Sequence, residues 1–382
     1  MHRTLILILL LATPLFAQIH HAQKSLAEYQ TPYYDIHTDL TGDDLREAAL
    51  RMTKMAEEYR ARTQAFAGKI SQKLPFYLFT RDEDYINAGG LEGSVGEFSA
   101  ADNKLMAVAD TRAGMSPWHV IQHEGFHQFA HNVIGGELPI WVNEGLAEYF
   151  GEGLFTGDSF ITGIIPQDRL DRVKQEMRDK QFRPIREMML LPHADWNADL
   201  TIVNYDQAWS MVHFLAHGDN GKYQSAFVQF MRLIGTSHPW ENAWQTSFGS
   251  ANGFEQKWQK YWLSLPSDPT LNLYAKAATA TATSFIARAT AQKQKFTDFE
   301  DLAAAISKGT IKIDPQDWLP KRLGEEAMKD VAQLRKREIG FTLTKSANPT
   351  IVCTLADGKK MTGHFRLNNG RVAQVTVDSP SP

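Results

Sequence analysis

Cysteine is almost absent: Cys353 is the only one in 382 residues. One thiol cannot build a disulfide framework or a cysteine-based zinc finger, so any metal here must be held by nitrogen and oxygen. An excess of charge of one sign is lacking as well. With 40 basic and 44 acidic side chains and a formal net charge of -4, the chain offers no electrostatic footprint for nucleic acid or an anionic membrane surface. Apolar runs are short, and none approaches the ~20 residues that cross a bilayer. What the chain has in quantity is hydrophobic residues, 43%, together with thirteen histidines. That excludes a disordered chain and leaves room for two or three domains with ample core.

Residues 1–17 read as a secretory signal: Arg3, an apolar run from Leu5 to Ala12, Pro14, then Leu15-Phe16-Ala17 before Gln18. This predicts cleavage after Ala17 and a secreted or periplasmic product, with an uncleaved anchor or a neighbouring site as the alternatives. A mature start at Gln18-Ile19-His20 would offer nitrogen donors to Cu(II) or Ni(II); a plain N-terminal tail over 18–40 is the simpler reading.

The main domain is expected over 41–265. Asp43 to Phe66 carries Leu45, Ala49, Met52, Met55 and Tyr59 at helical spacing. Pro75 to Thr80 and Lys104 to Ala109 read as strands, with a glycine-rich loop from Gly89 to Gly96 between them. Helices dominate afterwards. Ser116 as N-cap and Pro117 at the first helical position open one, and Gly135-Gly136 close it. Pro139 opens another that runs to about Gly151, and further helices fit 167–180, 205–217, 222–234 and 252–264. Pro266 to Pro269 marks an expected domain edge, followed over 266–295 by an alanine- and threonine-rich segment that is either helix or linker. The region 296–382 reads as α+β and ends in a small β module over 341–378, turning at Asp357-Gly358 and Asn368-Asn369-Gly370.

The informative stretch is His123-Glu124-Gly125-Phe126-His127, an H-E-x-x-H pattern inside the first of those helices. Histidines four apart stand about 40° apart on a helix, one turn above each other, so both imidazoles can face one ion. Glu124 projects beside that ion, placed to accept a proton from a water there. The helix carries apolar residues on more than one side and is expected to be buried, where two imidazoles and a carboxylate without a partner would be costly. Catalytic zinc takes three protein ligands. His131 lies about 12 Å along the axis from His123, out of reach of one ion.

A second stretch, Trp141-Val142-Asn143-Glu144-Gly145-Leu146-Ala147-Glu148-Tyr149-Phe150, completes the pattern. H-E-x-x-H followed by W-x-N-E-G-x-A-x-Y resembles the gluzincin metallopeptidases, which include thermolysin-like enzymes and alanyl-type aminopeptidases. It resembles still more closely the secreted bacterial peptidase MA-like domains. The resemblance covers about residues 40–265 and implies that Glu144, separated from His127 by sixteen residues, is the third zinc ligand. Glu148, one turn on, would accept the second ring proton of a ligating histidine. The resemblance also makes Tyr205, leading Asn204-Tyr205-Asp206-Gln207-Ala208-Trp209, the donor to the oxyanion; a packing tyrosine is the alternative, and His213 reads as a core histidine. An extended substrate would pair with the strand Lys104 to Ala109. Gly89-Gly90-Leu91-Glu92-Gly93 loosely resembles the aminopeptidase G-x-M-E-N motif, with Leu91 and Gly93 departing from it, so Glu92 is either an amino-terminus anchor or part of a rim loop.

These readings together predict an α+β, zincin-like metallopeptidase domain with an H-E-x-x-H helix, followed by a small C-terminal β module. One Zn(2+) per chain would be bound by His123, His127 and Glu144, with Glu124 as general base. The alternatives are an aminopeptidase of the same clan and a non-catalytic extracellular binding protein with structural zinc. Cys353 reads as a small core residue of the β module.

Overall fold

A computed structural model describes residues 26–109, 117–135, 137–198, 201–378 and 380. The signal segment, the Gln18 start, the Ser116 cap and Gly136 lie outside the described residues. The chain begins with strands β1 (Ala27–Gln30) and β2 (Tyr34–Thr38), then helix α1 (Gly42–Thr63), β3 (Leu74–Phe79), α2 (Asp82–Asn87), β4 (Gly96–Ser99) and β5 (Lys104–Val108). The strands form one sheet in the order β1-β2-β3-β5-β4. Its inner pairs are parallel and its two outer strands antiparallel. Strand alternation sorts the side chains: Phe76, Leu78, Leu105 and Ala107 enter the main core with α1, while Phe79, Met106 and Val108 gather on Tyr85 of α2.

Two expectations change here. The tail expected over 18–40 is sheet from Ala27 onward, with Tyr34 and Ile36 wholly buried. The strand expected to receive substrate, Lys104 to Ala109, is interior: β5 pairs with β3 on one side and β4 on the other. Its Leu-Met-Ala-Val run, apolar toward both faces, is what a strand covered on both faces requires. The edge on this side of the sheet is β4, whose Gly-Glu-Phe-Ser is too short and polar to stand out from a loop.

Next come α3 (Pro117–Val133), α4 (Ile140–Gly151), a hairpin of β6 (Leu154–Phe155) and β7 (Phe160–Ile161), then α5 (Gln167–Arg178), α6 (Ile185–Leu190), α7 (His193–Ala198) and α8 (Ile202–Gly221). α8 departs from helical geometry at Gly218, and Asp219 and Asn220 take positive φ. α9 (Gln224–Gly235), α10 (Trp240–Phe248) and α11 (Ala251–Ser264) follow.

Buried glutamines lock α3 in place. Gln128 donates to the carbonyls of Pro75 at 2.8 Å and Asn103 at 3.1 Å, tying α3 to the sheet. Gln122 donates to the carbonyls of Phe150, Gly151 and Gly153 at 3.1, 3.0 and 3.0 Å, meeting the orphan acceptors at the end of α4. Two motif glycines permit close approach. A Cβ on Gly125 would come within 2.9 Å of Met55 on α1, and one on Gly145 would meet the Ala208 carbonyl of α8 at 2.5 Å.

The C-terminal part holds α12 (Leu271–Ala291), α13 (Phe299–Lys308), a 3₁₀ turn at Pro315–Asp317, α14 (Lys321–Arg335) and strands β8 (Gly340–Leu343), β9 (Ile351–Thr354), β10 (Lys360–Asn368) and β11 (Arg371–Val377). These strands form an antiparallel sheet in the order β11-β10-β9-β8. The alanine- and threonine-rich segment is therefore helix, buried along most of its length. Its small side chains let the sheet approach, since a Cβ on Gly363 would collide with Thr283. Thr279 and Thr283 satisfy their buried hydroxyls on carbonyls one turn back, both at 2.7 Å. Cys353 is wholly buried in β9, and burial pushes its thiol up to about 11.

One cluster of buried apolar side chains runs from Tyr34 to Met361. Pro266 to Pro269 is thus a turn between packed helices and does not divide two cores. Arg288 of α12 closes the join: it lies 2.8 Å from Asp158, in the β6–β7 hairpin, and 2.9 Å from Asp317. Among the described residues no helix is long and apolar enough to cross a membrane.

Candidate metal centre

α3 presents His119, His123, His127 and His131 at four-residue steps, which stacks them along one side of the helix. α4 crosses that side and is buried on nearly every face, so Glu144 and Glu148 arrive inside the protein. His123 Nε2 lies 3.1 Å from His127 Nε2, and Glu144 Oε2 is 3.3 Å from the first and 3.4 Å from the second. His123, His127 and Glu144 could hold a metal ion.

The surroundings support this. His123 Nδ1 is 3.2 Å from Glu148 Oε1, which favours a ring proton at Nδ1 and so would turn the Nε2 lone pair toward an ion at the meeting point. Three lone-pair donors at these distances repel unless a positive charge lies among them. The protonation preferences agree in sign. Burial by itself would lower both histidines, but Glu144 and Glu148 raise His123 well above its ordinary value, and Glu144 raises His127. Burial would raise Glu144, yet the neighbouring imidazoles hold it at about 2.

Glu124 faces the same space. Its Oε2 accepts the backbone N–H of Phe98 at 3.0 Å, which joins the free side of β4 to the centre. A cleft of about 680 Å³ holds His123, Glu124, His127, Glu144 and Tyr205, walled by Phe98, His131, Asn143 and His193 among others. A second space of about 590 Å³ shares His123, Glu124 and Tyr205 with it and is lined also by His119, Glu148, Glu152, Arg169, Arg172 and Asp206. The Tyr205 ring centroid is 6.2 Å from that of His123. Burial, and next Glu144, push its phenol up to about 12, so it remains a proton donor.

Other candidates stand apart from the three donors. His213 is buried against Trp209 and Trp262, with Nε2 3.1 Å from the Gly163 carbonyl. Burial, with His217 beside it, lowers it to about 3 and keeps it neutral. Glu92 is exposed on its loop and lines neither part of the cleft. His131 forms cleft wall, its ring 5.6 Å from that of Phe98, and contributes no donor to the three.

Sequence reasoning missed His119, Phe98, Arg169 and Asp206. For His119 the signal was present, four residues before His123. For the others it was not, since each reaches the site from a different element.

Residues 119–241 match a family described as a protein of unknown function (DUF1570). That stretch contains the three donors, Glu124, Glu148, Arg169 and Tyr205, and stops short of the C-terminal region. No curated protein matches the chain.

Proposed function

We propose that the chain is a zinc-dependent peptidase with a zincin-like fold of the gluzincin kind, exported from the cytoplasm. The observation that carries this reading is the meeting of His123, His127 and Glu144 beside Glu124 in a cleft. Tetrahedral zinc with bonds of about 2.0–2.1 Å to nitrogen and oxygen has ligand-to-ligand edges of about 3.3–3.4 Å. The donor edges here are 3.1, 3.3 and 3.4 Å. Two imidazoles and one carboxylate also match the donor chemistry of catalytic zinc. Zinc held there would polarise a substrate carbonyl and bring the pKa of a water beside it to about 7.

The remaining chemistry belongs to the chain. Glu124, held by the Phe98 amide, takes a proton from water as the water oxygen bonds to the carbonyl carbon. It delivers that proton to the amide nitrogen as the C–N bond breaks. Tyr205 donates its O–H to the oxyanion of the tetrahedral intermediate. The free side of β4, rather than β5, offers an extended substrate a strand to pair with. Two spaces meet Glu124 and Tyr205, and Glu92 lines neither, which favours cutting within a chain over removing its first residue.

Metal analysis paired with a peptide library tests this. Wild type should hold one zinc per chain and cleave acetylated peptides, and Glu124→Gln should keep the metal while losing about 10²- to 10⁴-fold in kcat/KM. A wild type that holds zinc and cleaves nothing would instead be a binding protein with a structural ion. Strict need for a free amino terminus would make it an aminopeptidase.

A further inference from the structure

Buried charge concentrates one layer behind the three donors. His119, Glu148 and Glu152 bring ligand atoms within 4.8 Å of one another, a second grouping that could hold an ion. A cation of the chain is already there. Arg169 Nη1 lies 2.6 Å from Glu148 Oε2 and 2.7 Å from Glu152 Oε1, and its Nε is 2.7 Å from Asp206 Oδ1. The guanidinium carbon sits 4.3 Å over the Trp209 ring. Its side chain is 5% exposed and that of Asp206 is wholly buried.

The two oxygens of Glu148 divide their work. One faces His123 Nδ1 at 3.2 Å, and the other faces Arg169. Asp206 follows Tyr205 directly in α8, and its second oxygen takes Arg172 at 2.9 Å. A single guanidinium on α5 therefore joins α4 to the start of α8 and, through Glu148, sets the ring of a donor on α3. His127 has no such brace; its buried Nδ1 has no hydrogen-bond partner among the described residues.

We propose that Arg169 is a positioning residue for the metal centre: it holds the Glu148 carboxylate in line with His123 Nδ1, anchors the Tyr205 turn to the same point, and stands where a second ion would sit. The residue type fits that role. A planar fork with several donors and a flat face suits three carboxylates and an indole, whereas a lysine ammonium is a point charge. Without the guanidinium, Glu148, Glu152 and Asp206 would face one another buried with no cation between them, and Glu148 would turn away. That change removes the acceptor that aims His123. The proposal rests on the metal-centre reading and not on peptidase activity.

The test is metal affinity of the full chain, read by competition between zinc and a chelator well below the unfolding temperature. The variants are Arg169→Lys, Glu148→Gln and their double. Partners behind a metal ligand are worth about 10- to 100-fold in affinity. Each single variant should lose that much, and the double should be no weaker than Glu148→Gln alone, because both act through one contact. The Co(II)-substituted Arg169→Lys protein should also show an altered d–d spectrum. Asp206→Asn, which frees the far side of the guanidinium, is a second probe and should weaken binding by less. Wild-type affinity and spectrum in both Arg169→Lys and Asp206→Asn would make Arg169 merely structural and overturn the proposal. Additive losses in the double variant would overturn the route through Glu148. Two tightly held ions per wild-type chain would overturn the claim that Arg169 takes the place of the second, and a wild type that binds none would remove the centre and the proposal together. Affinity is measured whether or not the chain cleaves peptides, so the two readings fail separately.

Discussion

Arg169 and Arg288 look alike in isolation. Their side chains are 5% and 4% exposed, and each is held between carboxylates from different elements. They differ in what those carboxylates touch next. Glu148, beside Arg169, touches a donor histidine and lines the cleft. Asp317, beside Arg288, accepts the Val372 amide of the C-terminal sheet at 2.8 Å, and Asp158 belongs to the β6–β7 hairpin. A buried ion pair is thus no sign of function by itself, since a brace and a site use the same chemistry. The second contact distinguishes them.

The sharpest way to break this contrast is Arg288→Met. It strands Asp158 and Asp317 without their cation and should cost about 3–5 kcal/mol in urea unfolding. Metal affinity of the folded protein should stay at the wild-type value. If affinity falls with stability, the C-terminal brace and the metal centre are one functional unit. Gly363→Ala probes the same region more gently. Pushing β10 against Thr283 should cost about 1–3 kcal/mol, again with zinc binding unchanged. An unaltered melting temperature there would show that the sheet and α12 are packed less tightly than the structure has them.

A pH-dependent effect lies on the donor side, at Glu176 of α5. This side chain is 6% exposed, and its Oε2 has no hydrogen-bond partner among the described residues. Burial, and next the charge of Asp206, raise it from 4.5 to about 7. The folded chain then keeps a proton that the unfolded chain has lost, so Glu176 lowers stability as pH rises from 4.5 to about 7. Glu176→Gln should match wild type near the acid end of that window and melt higher above it. Parallel melting curves at all pH values would show that Glu176 is ionised in the fold.

Some of this was legible in the chain. The helices expected between Pro117 and Ser264, namely α3, α4, α5, α8, α9 and α11, lie close to their expected bounds, because each is long enough for its apolar spacing to repeat, whereas the shorter α6, α7 and α10 were not anticipated. Two of the three connections in the β module were marked by glycine turns, at Gly358 and Gly370. β2 shows the alternation Tyr34, Ile36, Thr38, but over only five residues, and Pro32 just before it reads as loop. β4 carries no period at all. The alanine- and threonine-rich segment was ambiguous because its small residues serve close packing from several sides, which leaves no amphipathic stripe to read.

What the sequence determined alone was local placement. His123, Glu124 and His127 share one helix, and covalent spacing puts them on one side of it; Glu144 and Glu148 share a side of the next, and only a resemblance pointed to Glu144 as the third donor. Only the tertiary structure decided that β4 rather than β5 lies at the edge, that the C-terminal region shares the core, and that Arg169 stands behind the meeting point of His123, His127 and Glu144. The physical reason is that local periodicity encodes which face of an element turns inward, whereas the partner that face meets depends on how distant elements pack.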